Sequence, residues 1–419
     1  MTSILIIGWV WPEPSSSAAG RHMLSILRVF RSEGWSVTFA SAAKATEHMI
    51  DLRTEDIEVH SITLNDSSFD QFIAQQQPDL VMYDCFIMEE QYGWRVEKNC
   101  PQALRILDTG DLQCLRGGRQ EAYRQDRDLT QADWCSDIAK REIASIYRSD
   151  LSLIISDYEM ELLAHPFNVP HSLLQHVPFM LDLPSLSSQR TPFEVRKHFL
   201  TIGNFRHVPN WDSVLYLHTL WPHIRTQIQD AELHIYGAYP PSKAMRLHQP
   251  KDGFCVKGWA DNAVDVMENA RVCLAPLRFG AGLKGKLLDA MVAGTPSVTT
   301  PIGAEGMCGD LSWPGSITHT VEEFVSASVD LYQNHKHWQQ AQDRIQPILE
   351  TAFDQEMIGA KLITRINQLR MDLDSHRQRN FTGAMLRHHT MKSTQYMSQW
   401  IESKTQLEAL RQSTYPKLT

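Results

Sequence analysis

Residues 271–306 read RVCLAPLRFGAGLKGKLLDAMVAGTPSVTTPIGAEG, and this stretch decides the fold class. A short apolar run, Val272–Leu277, gives way to Gly280, Gly282 and Gly285. A helical pattern follows from Lys286 to Ala293 and is stopped by Gly294 and Pro296. A second β-branched run, Ser297–Thr300, closes the unit. The pattern is a strand that delivers a glycine-rich loop to the start of a helix. Free backbone N–H groups and the positive end of the helix dipole there favour bound phosphate. Lys284 and Lys286 add positive charge at the same place. Lys286 and Asp289 lie about one turn apart, on the face opposite Leu287, Leu288 and Met291. An ammonium for phosphates beside a carboxylate for sugar hydroxyls suits a nucleotide diphosphate.

Two plainer accounts compete. A glycine-rich strand–helix turn is often only a tight turn, and paired lysines often lie on solvated faces. The loop also spells G-x-G-x-x-G, the dinucleotide fingerprint. That fingerprint belongs after the first strand of its domain, with an acidic residue closing the next strand. Here it falls late in the second half of the chain, and the next strand carries threonines.

Outward from this unit, a chain of 419 residues exceeds one ordinary core and predicts two domains plus an extension. A hydrophobic fraction of 42% and a charged fraction of 21% are those of a soluble globular protein. The net charge of −9 argues against a nucleic-acid partner. The seven cysteines (85, 100, 114, 135, 255, 273, 308) form no CxxC pair and join no histidines at metal-ligand spacing. They fit reduced thiols in a cytoplasm. The apolar run Ile4–Ile7 is too short for a signal peptide or a membrane span and reads as a first strand.

Further strands are expected at Val37–Ala40, Val59–Ile62, Leu80–Tyr83, Leu104–Leu107 and Leu151–Ser156, separated by helices or loops. Residues 166–197 lose this periodicity and read as a linker. The alternation restarts with Phe199–Ile202, Leu233–Tyr236 and Phe254–Val256, with a helix over 211–228 that Pro222 kinks or breaks. Alternating strands and helices build parallel sheets covered on both faces, with ligands at the carboxyl ends of the strands. The fold expected is α/β: two doubly wound Rossmann-like domains facing a cleft. Residues 1–180 form the first domain, 181–350 the second and 351–419 a helical crossover and tail. Residues 351–419 carry 10 Lys+Arg against 6 Asp+Glu, so +4, against −13 for the remainder. Ile358, Leu362 and Ile366 repeat at helical spacing and predict a buried face on the first domain. Beyond about residue 380, a structural role and a contact with anionic lipid headgroups both remain open.

Four segments together resemble the family-4 (group 1) nucleotide-sugar glycosyltransferases of bacteria, which have the GT-B fold. FGAGLKGKLLDAMVAGTPSVTTPIGAEGM (279–307) resembles the family's donor loop. LTIGNFRHVPNWDSV (200–214) is similar to the opening of the donor domain in one subgroup. LDTGDLQCLRGGR (107–119) resembles an acceptor-domain motif, and Ser156-Asp157-Tyr158-Glu159 stands in the place of an S-x-x-E motif. The resemblance implies retaining transfer of a sugar from a nucleotide diphosphate sugar, in glycan or polysaccharide biosynthesis. The acceptor would be a saccharide, lipid-linked or protein molecule. It implies no metal and no cofactor beyond the co-substrate. The site would be cytoplasmic, with peripheral attachment at the inner face of the membrane left open for the tail. Lys286 and Arg206 would meet the diphosphate and Asp289 the ribose, with Gly203, Gly280, Ala281, Gly282, Leu283, Lys284 and Glu305 completing the donor side. Gly20, Arg21, His22, Asp108 and Asp111 would face the acceptor.

The chain departs from the family pattern at three places. Ala281 stands where the first of two acidic residues is expected, Gln113 where a histidine is expected, and Gly110 replaces a larger residue. His22 could supply the missing imidazole. Other accounts stand beside these assignments: Asp111 as a helix cap, Arg116 and Arg119 as partners of nearby carboxylates, Arg21 and His22 on the surface, and Glu305 in solvent. Two further functions follow from the alternatives. One is a catalytically silent nucleotide-sugar-binding protein; the other is a nicotinamide-dependent oxidoreductase.

Overall fold

The structure, a computed structural model, describes residues 1–131, 134–185 and 190–414. Two wholly parallel sheets organise it. The first runs through β1 (Ser3–Gly8), β2 (Ser36–Ser41), β3 (Glu58–Ser61), β4 (Leu80–Asp84), β5 (Leu104–Asp108), β6 (Leu151–Ile154) and β7 (Leu174–His176), in spatial order 3-2-1-4-5-6-7. The second runs through β8 (Phe199–Ile202), β9 (Leu233–Tyr236), β10 (Phe254–Gly258), β11 (Val272–Ala275), β12 (Ser297–Thr299) and β13 (Gly315–Ile317), in order 10-9-8-11-12-13. Both orders reverse beside the first strand of the sheet, between β1 and β4 and between β8 and β11. Such reversals open a crevice at the carboxyl ends. The strands are continuous apolar runs because helices cover both faces. Ile4, Leu5, Ile6 and Ile7 of β1 are each at most 1% exposed.

Three sequence expectations need correction. Val272–Leu277 is strand only to Ala275, because Pro276 offers no N–H to the ladder. The helix expected over 211–228 spans Val208–Arg225, and Pro222 lies inside its last turn without ending it there. The stretch read as linker contains β7, and β13 carried no signal, having a single apolar residue in Gly-Ser-Ile. The passage to the second sheet comes later and runs beside the return. Leu181 N–H donates to Phe353 O at 2.8 Å, and Gln355 N–H donates to Leu181 O at 3.0 Å.

The return helix Gln355–Met371 then joins the first core. Ile358, Leu362 and Ile366 are buried with Leu24, Leu27 and Val29 of the helix Ala18–Ser32. At Gly359 a Cβ would stand 3.1 Å from Val29, so the glycine sets the approach of the two helices. The last helix, Phe381–Thr414, lies against the helices Phe86–Asn99 and Asp137–Arg148. No helix among the described residues is long and apolar enough to cross a membrane.

Candidate functional site

The carboxyl ends of both sheets border one cavity of about 720 Å³. On the second domain's side, β11 leads into the loop 276–284 and then the helix Gly285–Val292. Leu287, Leu288 and Met291 anchor that helix in the core, which turns Lys286 and Asp289 to the cavity. No side chain caps the helix start, so its first N–H groups remain for a ligand. Gly280, Ala281, Gly282, Leu283 and Lys284 all line the cavity, as do Gly203 and Arg206 after β8.

The two lysines differ. Lys284 spends its ammonium on its own loop, donating to Ala281 O at 3.2 Å and to Gly282 O. Among the described residues Lys286 has no hydrogen bond or ion pair, and burial pushes its ammonium down to about 8. A half-buried cation that lacks a counter-charge and faces a cavity is poised for an anion. Arg206 is exposed at the rim, stacked over the Tyr239 ring at 3.5 Å, and forms no ion pair among the described residues. The Tyr239 hydroxyl donates to Glu13 Oε1 at 3.0 Å, so the first domain holds the ring that holds Arg206.

Other polar groups close the two domains on each other. Arg21 faces the cavity and forms a bidentate pair with Asp289, Nη2 to Oδ2 at 2.8 Å. The carboxylate that the resemblance gives to ribose is thus held by the opposite domain. Glu305 does not line the cavity. It takes Arg119 in a bidentate pair at 2.8 Å for both bonds, and Arg119 also donates to Gly280 O at 2.9 Å. The paired reading of Arg119 therefore holds, as it does for Arg116 with Asp111. Gly20 is also off the cavity; a Cβ there would lie 2.6 Å from the Glu13 backbone, so it packs the loop 9–17 onto its helix.

Asp111 lines the cavity but caps nothing. The helix Gln113–Arg124 is capped instead by Glu142, which accepts from Gln113 N–H and Cys114 N–H at 2.9 Å each. Glu159 Oε1 accepts from Leu112 N–H at 3.1 Å and, across the domain boundary, from Gly282 N–H at 2.9 Å. Burial, with Asp111 nearby, pushes the Glu159 carboxyl up to about 8. At Gly282 the backbone is left-handed (φ +62°), and a Cβ would meet Asp111 at 2.8 Å. The glycines read as a phosphate cradle therefore also admit the opposite domain.

The first domain's wall carries His22, Asp108 and two residues the sequence reading missed, Trp9 and Asp84. Asp84 and Asp108 are register partners at the ends of β4 and β5. Asp84 Oδ2 accepts from Trp9 N–H at 3.0 Å, and Asp108 Oδ1 accepts from Gly110 N–H at 3.1 Å. Burial, and for Asp84 the neighbouring Asp108, raises these carboxyls to about 7 and about 6. His22 is buried edge-on to Phe179, and burial lowers its imidazole to about 4. Of the two missed residues, Asp84 had a signal: like Asp108, it closes an apolar strand run. At the opposite, amino ends of the strands, His198, Glu232 and His234 come within 4.8 Å of one another. There His198 Nδ1 already accepts Glu232 N–H at 3.1 Å, which leaves its proton on the other nitrogen and makes a poor metal ligand.

The nicotinamide reading fails on topology. Its G-x-G-x-x-G follows β11, the fourth strand of its sheet in chain order, rather than β8. Residues 196–334 match the family model described as Glycosyl transferases group 1. No curated protein sequence matches the chain. Among solved structures it is similar to Anabaena HepE in complex with UDP and glucose: TM-score 0.67 at 11% identity, covering 88% of this chain and 100% of that one. Sucrose-phosphate synthase from Thermosynechococcus elongatus gives TM-score 0.65 at 12% identity, over 88% and 99%. A variant of S. aureus TarM in complex with Fondaparinux, alpha-GlcNAc-glycerol and UDP gives 0.57 at 13%, over 71% of this chain and 58% of that one. At such identities the likeness speaks for the fold, and the family match speaks for the second domain. Residues 196–334 are a group 1 glycosyl transferase domain, and the chain that carries it is a glycosyltransferase of GT-B fold.

Proposed function

We propose that the chain transfers a sugar, with retention at the anomeric carbon, from a nucleotide diphosphate sugar to an acceptor hydroxyl held by the first domain, in glycan or polysaccharide biosynthesis. The observation that carries this reading is Lys286, a half-buried ammonium with no ion-pair partner among the described residues, facing the cleft at the start of a helix. The C1–O bond to the diphosphate breaks, the acceptor oxygen bonds to C1, and the acceptor's proton passes to the departing phosphate. Such chemistry needs stabilisation of the leaving charge more than a protein nucleophile. Lys286, Arg206 and the helix-terminal N–H groups supply it, so neither metal nor cofactor enters the proposal. The backbone of Gly280–Leu283 holds the phosphate or the sugar. Asp289 takes the ribose once Arg21 lets go of it. The reaction is placed in the cytoplasm, with a saccharide or a lipid-linked or protein-borne one as acceptor. The exposed Tyr396, Met397 and Trp400 of the basic tail are proposed to touch an anionic membrane, which vesicle co-sedimentation tests.

A panel of nucleotide sugars, assayed for hydrolysis and for transfer to saccharides, tests the main reading. Release of nucleoside diphosphate from one donor, lost in Lys286→Ala, is the expected result. A second reading, a catalytically silent nucleotide-sugar-binding protein, draws on Ala281 in place of a carboxylate and on Asp289 being occupied by Arg21. Donor binding without turnover across the panel would select it.

A further inference from the structure

The cleft is divided by charge. Among the described residues the lining cations without an ion pair, Lys286, Arg206 and the loop-bound Lys284, all belong to the second domain. On the first domain's side, Arg21 is neutralised by Asp289 and Arg116 by Asp111. What remains there without a counter-charge is of another kind: the carboxylates Asp84 and Asp108, each held by one backbone N–H, and the imidazole of His22. His22 is 3% exposed, lines the same cavity, and its Nδ1 has no hydrogen-bond partner among the described residues. Trp9 lines the cavity with 49% of its surface exposed, and its backbone N–H is fixed to Asp84. A tryptophan left half-bare at a site loses apolar burial that a ligand can restore. These groups gather where the strand order reverses between β1 and β4, the crevice in which doubly wound sheets bind ligands.

We infer that this crevice is the acceptor subsite and that it selects an uncharged saccharide, with one ring face against Trp9 and ring hydroxyls on Asp84, Asp108 and His22 Nδ1. Carboxylates accept hydroxyl protons well and repel an anion directly. A phosphorylated sugar or a uronic acid bound there would meet two acids, while the cleft's unpaired cations belong to the second domain's wall. A sugar's pyranose face, by contrast, presents C–H groups to the electron-rich indole. The inference rests on the glycosyl-transfer reading only in naming the bound saccharide an acceptor; the crevice's preference is a separate property.

The test is saturation-transfer NMR on the full-length chain. The probes are the methyl glycosides of glucose, galactose and mannose, the corresponding 6-phosphates, and glucuronic and galacturonic acid. At least one neutral glycoside should receive saturation while the anionic sugars do not. Trp9→Ala should cut that signal roughly tenfold, and Trp9→Phe should restore most of it. Asp84→Asn should raise the anionic signal relative to the neutral one, a change that a merely structural role would not produce. Circular dichroism confirms that the variants fold. Equal or stronger binding of the anionic sugars, no binding of any neutral glycoside, or an unchanged signal in Trp9→Ala would each overturn the inference. Calorimetry with UDP, GDP and ADP on the same protein judges the other reading: failure to bind any of them sinks glycosyl transfer while leaving the glycoside result standing.

Discussion

At the level of single residues, the second domain's site turns on Lys286, a cation with neither hydrogen bond nor ion pair among the described residues. Taking an ammonium out of water lowers its pKa, and with no carboxylate to offset that burial Lys286 titrates at about 8. It is therefore charged below that value and neutral above it. In kcat/KM, which reports the free enzyme, activity should fall on the alkaline side with an apparent pKa near 8. Lys286→Arg should push that limb upward, since a guanidinium stays charged. If Lys284 were the titrating group, the limb would stay in place. Lys286→Ala should lose roughly a hundredfold or more in donor turnover. Its thermal midpoint should not fall, because the lost group is a charge drawn partly out of water with no ion-pair partner among the described residues. Activity within a factor of two of the parent would remove Lys286 from the mechanism. Beside it, Arg21 and the ribose compete for one carboxylate. Asp289→Ala should weaken nucleotide binding by about 1.5–3 kcal/mol. Arg21→Ala should leave it equal or several-fold tighter, and calorimetry reads both. Weaker binding in Arg21→Ala would mean that the arginine itself contacts the nucleotide.

At the level of elements, Glu159 shows how a local motif serves a distant one. Ser156 caps its own helix by accepting Glu159 N–H, which fixes the glutamate's place. Its carboxyl then ties the start of the helix Gln113–Arg124 to the donor loop at Gly282. The sequence showed Ser156–Glu159 as a motif but not its partners, because side-chain reach across a domain boundary has no periodic signature. The same limit explains Glu305 and Asp289, whose partners Arg119 and Arg21 lie 186 and 268 residues away. Local physics was legible: the continuous apolar runs of β1, β4 and β11, the glycine loop, and the stripe Ile358–Ile366. β7 (Leu-Gln-His) and β13 (Gly-Ser-Ile) each hold a single apolar residue, too few for a pattern to emerge, whereas the equally short β12 was legible from its β-branched Val298 and Thr299. Because its folded carboxyl titrates at about 8 against an ordinary 4.5, Glu159 binds its proton more tightly folded than unfolded. That stability is fully present below about pH 4.5 and is lost as pH rises through 8. Glu159→Gln keeps the acceptor oxygen and removes the titration. The variant should gain on the parent by at least about 1 kcal/mol between pH 5 and pH 8, read from urea midpoints. An unchanged difference across that range would show the carboxyl to be ionised and paired in the fold.

At the level of the molecule, the chain crosses between the sheets and then comes back. The return is what makes the C-terminal segment part of the first domain rather than an appendage. Beyond the crossover helix, Arg377 pairs with Asp150 at 2.7 Å, and Asn380 donates to Tyr147 O at 2.7 Å. Further on, Arg95, with 2% of its side chain exposed, is held by Asp70 at 2.9 Å, by Ser398 Oγ at 3.3 Å and by Glu402 at 3.8 Å. From sequence alone, a chain ending at Leu373 is expected to stay soluble and bind nucleotide, because the cationic tail is assigned to location or acceptor rather than to the donor. The packing points the other way. Truncation there strips the cover from the helices Phe86–Asn99 and Asp137–Arg148, unpairs Asp150 from Arg377 and leaves Arg95 with a single carboxylate. Breaking a buried pair from one side costs about 3–5 kcal/mol. The first domain of such a protein should therefore unfold at markedly lower urea. A chain ending at Thr405 keeps Ser398 and Glu402 and should unfold with the full-length protein. Tryptophan fluorescence against urea separates the two, since Trp94 lies beneath this cover. Equal midpoints for all three chains would return the tail to the surface and leave a membrane contact as its remaining role.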